Sequence, residues 1–495
     1  MFSGIRSSAN YKWWVFTTIS IGTFLSVIDH GSVLVALPSI ERHFGSDLPS
    51  VQWIVLGYAL AISALILPMG RLGDIIGRKP VYTGGMVIFV VAAGLAGASP
   101  NLGSLIGAKV FQGVGSAMVQ SAGIAMVISS FPGSERGKAL GTHLSVVGAG
   151  AIAGPAIGGL LVSAFEWRSV FFANVPIGIF TIAISMLVLP LDKPEPPEGQ
   201  ARQRFDWGGA VLSGLALSGF LLVVGNGDRV GWTSATIYSG TAFTLLAVTA
   251  FIWWELRSPS PMLDLRLFKR KLVSLGVAAG WFSFLGSSAA RFMMPFYLQR
   301  VLEFGPRDVG LLLIPPALCL VVVGPFGGRL SDRFGWRGLT VGGLTLSAAA
   351  WFVLASTLTE SSPVLLIVIL LMFQSTGTAL FNTPNNSSIL SAVDRSQYGV
   401  VSALTQLVRN SANVVSIAIA TTVVVATMGA KGVEPSLDAV SPAVAGAFVA
   451  GLKWAFLMMG GMLLVAIAIA IIRGERPKPA AAIRSESVAA GPASD

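Results

Sequence analysis

The chain has 495 residues, 53% of them hydrophobic and only 11% charged, against roughly 25% charged in an ordinary soluble protein. So few charges cannot clothe an aqueous surface, which excludes a soluble domain; the net charge of +10 therefore has to be placed relative to a membrane before it is read as a nucleic-acid footprint. The single cysteine, Cys319, sits in an apolar run and excludes both a disulfide framework and a thiolate metal site of the usual spacing.

A helix needs roughly 20 mostly apolar residues to cross a bilayer core, and that criterion predicts fourteen spans in chain order. The first, 13–40, is too long for a signal-peptide core and lacks a small-residue cleavage site, so it is read as a retained helix. Five more follow at 51–70, 80–98, 104–131, 137–165 and 170–191, then two, 207–224 and 235–254, after a polar loop. A basic loop leads to the last six, at 273–299, 309–329, 338–358, 364–387, 398–428 and 445–472. The expected class is an all-α polytopic membrane protein. Its expected divisions are an N-terminal six-helix bundle (1–191), loops with a two-helix insert (192–272), a C-terminal six-helix bundle (273–473) and a disordered cytoplasmic tail (474–495).

Lys and Arg retained in cytoplasmic loops set orientation. With the N-terminus inside, only Arg42, Arg168, Arg229, Arg300, Arg307 and Lys431 of the 33 basic residues fall outside, and Lys109, Arg291, Arg409 and Lys453 fall within spans. Both termini are therefore expected in the cytoplasm of a cell whose plasma or inner membrane holds the chain. Trp13, Trp14, Trp53, Trp167, Trp207, Trp232, Trp253, Trp254 and Trp336 lie at predicted helix ends, where an amphipathic ring prefers the headgroup level.

Two segments recur. Gly70-Arg71-Leu72-Gly73-Asp74-Ile75-Ile76-Gly77 returns as Gly328-Arg329-Leu330-Ser331-Asp332-Arg333-Phe334-Gly335, offset by 258, and Phe111-Gln112-Gly113-Val114-Gly115-Ser116-Ala117 returns as Phe373-Gln374-Ser375-Thr376-Gly377-Thr378-Ala379, offset by 262. Nearly equal offsets argue for duplicated halves, spans one to six and nine to fourteen. Parallel duplicated bundles place a substrate path at their interface near the midplane, which is a transporter's architecture.

These motifs resemble the major facilitator superfamily, and the fourteen spans with a central insert resemble its drug:proton antiporter family of the multidrug efflux type. The run from Gly70 to Lys79 is similar to the superfamily's loop signature between the second and third helices. Gly141, Gly150, Gly154, Pro155, Gly158 and Gly159 fit the antiporter signature of the fifth helix, and Trp167-Arg168 with Asn174-Val175-Pro176-Ile177-Gly178 is similar to the entry to the sixth. Asp29 followed by Pro38 is similar to the acidic first-helix motif, with Gly31 and Leu34 where that motif usually has Thr and Asn; Lys109 before Gln112-Gly113 replaces the usual Arg of the fourth. The resemblance implies export of small molecules in exchange for protons.

An ionisable side chain near the bilayer centre costs at least ~2.5–3.5 kcal/mol on insertion scales, so each must be paired or functional. Asp29 is the one acid deep in a predicted span, Lys109 lies at similar depth, and Arg291 is approximately the repeat counterpart of Asp29. These three, with His30 as a further candidate, are the expected proton-coupling group. The alternatives are a static Asp29–Lys109 ion pair and a merely packed His30. Gly70, Asp74, Gly77, Arg78, Lys79 and Asp332 are the expected cytoplasmic gate, unless the basic ones serve topology alone. Gly150 and Gly154 share a helix face and Pro155 removes a backbone bond, so the fifth helix is a pivot, a proton seal or only a tight packing surface. Gln112, Phe292, Met293 and Arg409 are expected to line a cavity. The expectation is a proton-coupled exporter of amphiphilic compounds, monomeric, with small molecules, protons and the bilayer as partners and no cofactor, metal or nucleic acid. The alternatives are an exporter of one metabolite and a polytopic membrane enzyme.

Overall fold

The computed structural model describes residues 10–132, 135–190, 206–258, 265–393, 398–434 and 442–473, helical throughout apart from short connections. Fourteen of its helical segments are long and apolar enough to cross a membrane. The first half comprises α1 (Tyr11–Phe44), α2 (Leu48–Ile76), α3 (Arg78–Gly97), α4 (Leu102–Ser130), α5 (Arg136–Phe165) and α6, a span of two pieces, Ser169–Phe172 and Asn174–Val188. The insert is α7 (Trp207–Val230) and α8 (Ala235–Arg257). The second half comprises α9 (Lys271–Phe296, continued by a π-turn over Tyr297–Val301), α10 (Pro306–Leu312 and Ile314–Phe334), α11 (Trp336–Thr357), α12 (Val364–Leu390), α13 (Tyr398–Ala430) and α14 (Pro442–Arg473). An even number of spans puts Tyr11 and Arg473 on one face of the molecule, here the terminal face; the opposite one is the distal face.

Short-range signals set many of the ends. Asp47, Asp206 and Ser234 each cap a helix by accepting from the backbone N–H three residues on, and Asn101 and Ser104 form a reciprocal capping box at the start of α4. Where one unbroken span was expected, α10 breaks at Leu313, because prolines open its second piece and supply no backbone donor to the turn before.

Contacts between helices repeat across the two halves. Within the first, α3 packs on α4, α2 on α4 and α1 on α5; within the second, α11 packs on α12, α10 on α12 and α9 on α13. The recurring sequence segments occupy equivalent places. Gly77 and Gly335 end α2 and α10 with φ of 101° and 87°, a left-handed turn that side chains other than glycine rarely adopt. Gly85 of α3 presses on Gly115 of α4, and Gly343 of α11 presses on Gly377 of α12. A methyl at Gly85 would lie 2.8 Å from the Gly115 carbonyl oxygen, and one at Gly343 2.6 Å from that of Gly377. Small residues allow such backbone approach between spans, where lipid gives helices little hydrophobic reason to associate.

The halves meet through α1 on α9, α5 on α10 and α2 on α13, the pattern of an approximate two-fold axis along the membrane normal. The insert packs α7 against α2 and α13, at the rim of the interface between the halves. Its outer surface carries exposed Leu245, Leu246, Phe243 and Ile252, an apolar belt suited to lipid. The expected division at 192–272 falls partly outside the described residues, as do the tail 474–495 and Arg229's side chain.

Candidate functional site

The middle of α1 presents Ser26, Asp29 and Ser32 at three-residue spacing, so they share one helix face, and all three are buried. Ser26 Oγ lies 3.0 Å from Ser116 Oγ of α4 and 3.3 Å from Tyr58 Oη of α2. Ser32 Oγ donates to the Gly154 carbonyl of α5 at 2.8 Å. Between them Asp29, with no accessible surface, accepts from Lys109 Nζ at 2.9 Å and from Asn174 Nδ2 at 2.7 Å. One face of α1 is thereby hydrogen-bonded to four other helices of its own half.

Lys109 is itself enclosed. Its ammonium donates to Gln112 Oε1 at 2.5 Å and stands 4.5 Å from the centre of the Tyr58 ring and 5.7 Å from that of Phe171, so both carboxylate and aromatic faces oppose its charge. Gln112 Nε2 is buried with no hydrogen-bond partner among the described residues. His30, on the neighbouring face of α1, stacks on Tyr58 with ring centres 6.2 Å apart.

Across the interface, α9 and α13 are joined by polar side chains. Ser416 Oγ donates to the Leu285 carbonyl at 2.6 Å and accepts from Ala289 N at 3.0 Å, and Ser288 Oγ bonds Asn413 Oδ1. Arg291 reaches back to Ser288 Oγ at 3.4 Å. It is exposed although it lies deep in its span, and Arg409 is half-buried. The charges of Arg291, Lys109, Asp29 and Arg409 all act on the His30 ring, and that of Arg291 acts on Arg409. The five ionisable groups found in sequence within spans one, four, nine and thirteen are thus one neighbourhood, but only Asp29 and Lys109 are bonded to each other. Phe292 and Met293 have no accessible surface and pack into the core, so they face no open space in this structure.

Toward the distal face the halves are clasped. Gln299 Nε2 donates to the Val35 carbonyl at 2.9 Å; Arg300 Nη2 donates to the Pro38 carbonyl at 2.7 Å and to Glu41 Oε2 at 2.9 Å. Glu41 has no accessible surface and Arg300 is 4% exposed. Glu41 lies one residue beyond the first predicted span, and neither its burial nor the partnership of Arg300 was signalled by local pattern. Around them the glycine-proline segment of α5 meets both halves. Gly154 abuts Gly31 of α1, a methyl there falling 3.0 Å from the Gly31 Cα; Gly159 abuts the Pro306 carbonyl and Gly310 the Pro155 carbonyl, both across the interface. Gly150 abuts Val27, and Gly158 abuts Ser32. The surroundings of Gly141 lie outside the described residues.

At the terminal face, Arg78 Nη1 donates to the Ala125 carbonyl of α4 at 2.9 Å, and Lys79 Nζ donates to the Met186 and Leu189 carbonyls at 2.7 and 2.9 Å. These bonds stay within the first half and fasten the start of α3. Gly70 packs near Ser121. The side chains of Asp74 and Asp332 are outside the described residues. Two residues of the central site, Tyr58 and Asn174, were not singled out by chemistry. Asn174 was visible only as the first residue of the Asn-Val-Pro run at the head of the sixth span.

Among known proteins, the chain is 31% identical over 403 residues to the riboflavin transporter RibZ of Clostridioides difficile, covering 81% of this chain and 85% of that one. It is 29% identical over 423 residues to the multidrug resistance protein Stp of Mycobacterium tuberculosis, covering 85% and 77%. The same fold occurs in the crystal structure of a bacterial homologue of the human lysosomal transporter Spinster, inward-facing and unoccupied, with a TM-score of 0.68 at 16% identity over 94% of this chain and 98% of that one. The family profile described as Major Facilitator Superfamily matches residues 19–417, and with its fourteen spans in two related halves the chain belongs to that superfamily of transporters.

Proposed function

We propose that the chain exports small amphiphilic compounds in exchange for protons by alternating access, from a cell membrane in which both termini face the cytoplasm. The observation that carries this is Asp29, a wholly buried carboxylate halfway along α1, held by Lys109 and Asn174 beside an interface between two related halves. Desolvation and a neighbouring cation act oppositely on a carboxyl group, so a movement that changes either can load or release a proton. Two and three residues beyond Asp29, Gly31 and Ser32 contact Gly154 of α5, and further along Val35, Pro38 and Glu41 receive bonds from α9. A change at Asp29 therefore has a continuous route, along α1, to the distal clasp.

The distal clasp and the accessibility of Arg291 support an orientation in which the central site opens toward the terminal face. On this reading Gly159 is a contact that only the distal-closed arrangement requires. Gly159→Ala would drive a methyl into the Pro306 carbonyl, and is expected to weaken that arrangement and raise labelling of distal-face cysteines. Labelling equal to the parent's would reduce the segment to packing.

Purified protein in proteoliposomes, with a pH-sensitive dye inside and a panel of chemically diverse substrates, tests the function. Substrate-stimulated proton movement is expected. A membrane enzyme would give product without vectorial flux, and flux with no proton movement would refute exchange. The likeness to a protein named a riboflavin transporter favours a second reading, export of one particular metabolite; the panel separates the two by breadth.

A further inference from the structure

We propose that the central site takes anions: the acidic group of an amphiphilic molecule binds between Arg291 of α9 and Arg409 of α13. This rests on the transport reading above and assigns its substrate class. Ser288 fixes the geometry. It bonds Asn413 of α13 and receives Arg291 three residues along its own helix; Arg409 lies four residues from Asn413, hence on the same face of α13. Both arginines therefore border the seam between α9 and α13, and His30 of α1, which packs on α9, feels the charge of each.

The charge at this seam is unbalanced. A guanidinium stays protonated in proteins, and among the described residues neither arginine has an acidic partner. Arg291 has one long bond to a serine hydroxyl, and Arg409 has no hydrogen bond among the described residues. The nearby carboxylate, Asp29, is already engaged by Lys109 and Asn174. Asn410, next to Arg409, keeps a buried Nδ2 with no partner among the described residues, a further donor facing the same shortage of acceptors. Inside a membrane, two like charges without counter-ions repel strongly and are poorly solvated. Arg291 is nonetheless exposed, so a ligand can reach it. Carboxylate, sulfonate and phosphate groups accept paired bonds from a guanidinium fork, and each would supply the missing acceptors. A cationic drug would meet the same field as repulsion.

Two probes with the same xanthene body, anionic carboxyfluorescein and cationic rhodamine 6G, separate the possibilities when their binding to the purified full-length protein is followed by fluorescence polarisation. Carboxyfluorescein is expected to bind the more tightly. Arg291→Gln and Arg409→Gln should each weaken it about tenfold or more, the scale of one lost charge-assisted bond, while Arg409→Lys should retain part of the affinity. Tighter binding of rhodamine 6G overturns the proposal, as does unchanged carboxyfluorescein affinity in the double Gln variant. Chloride titrated against the bound dye tests for a simple inorganic-anion site: displacement by low chloride would overturn the amphiphile assignment. If proteoliposomes show no proton-driven flux but the charge preference and its arginine dependence hold, proton exchange falls and the anion site stands. Proton-driven flux of cations alone sinks the anion site and leaves exchange intact.

Discussion

Asp29→Asn is expected to abolish proton-driven accumulation while leaving membrane insertion and substrate binding in place. The amide matches the carboxylate in size but keeps only one of the two oxygens that now accept from Asn174 Nδ2 at 2.7 Å and from Lys109 Nζ at 2.9 Å, so one of these bonds is lost while the packing around α1 is kept. What it loses is the ability to alternate between protonation states. It also leaves the Lys109 charge without a counter-ion, opposed by Gln112 and the faces of Tyr58 and Phe171. Removing one member of a buried ion pair typically costs about 3–5 kcal/mol, and those remaining contacts offset part of it. The competing account, a static pair that only locks α1 to α4, is distinguished by the double variant Asp29→Asn with Lys109→Met. Replacing a buried pair by neutral groups of similar volume is often harmless to stability. A static lock therefore predicts that the double variant regains concentrative transport, whereas a proton carrier predicts downhill flux without concentration. Transport by either variant against a gradient, measured in proteoliposomes with an imposed pH difference, would move coupling away from Asp29.

Fourteen spans were legible because bilayer thickness imposes a length and a composition on every one of them, and the two echoes were legible because backbone geometry imposes glycine at the same places twice. Gly77 and Gly335 take a positive φ, and the Gly85–Gly115 and Gly343–Gly377 approaches leave no room for a methyl. The pairing of Asp29 with Lys109 followed from depth, since a lone buried charge is too costly to stand unmatched. Other features had no such constraint. Asn174 and Tyr58 are ordinary polar and aromatic residues whose importance depends on which helices become neighbours, and Glu41 became a buried group only because α1 continues four residues past its predicted end and is met there by α9. Phe292 and Met293 illustrate the reverse case. Beside Arg291 in sequence, they occupy other faces of α9, so they enter the core while the arginine is exposed.

Loss of the Arg300–Glu41 pair is expected to shift the protein toward a distal-open arrangement. The pair crosses between the halves, is buried on both sides and is reinforced by the bonds from Arg300 to the Pro38 carbonyl and from Gln299 to the Val35 carbonyl. Arg300→Met removes the cation and leaves the Glu41 carboxylate buried without it; at about 3–5 kcal/mol for a buried pair broken by removing one member, the ratio of distal-closed to distal-open states, in which water reaches the carboxylate, should fall by a factor on the order of a hundred to several thousand. Adding Glu41→Gln removes the stranded charge and should restore most of the closed population. That recovery separates an ion-pair clasp from a side chain that merely fills space. Spin labels attached at Arg42→Cys and Glu303→Cys, in a background with Cys319→Ser, lie on opposite halves around the clasp and report its opening as a longer inter-label distance. The single variant should lengthen the distance, and the double variant should bring it most of the way back. Equal distances in the parent and in Arg300→Met would show that the glycine contacts of α5 with α10, rather than this ion pair, hold the distal face shut.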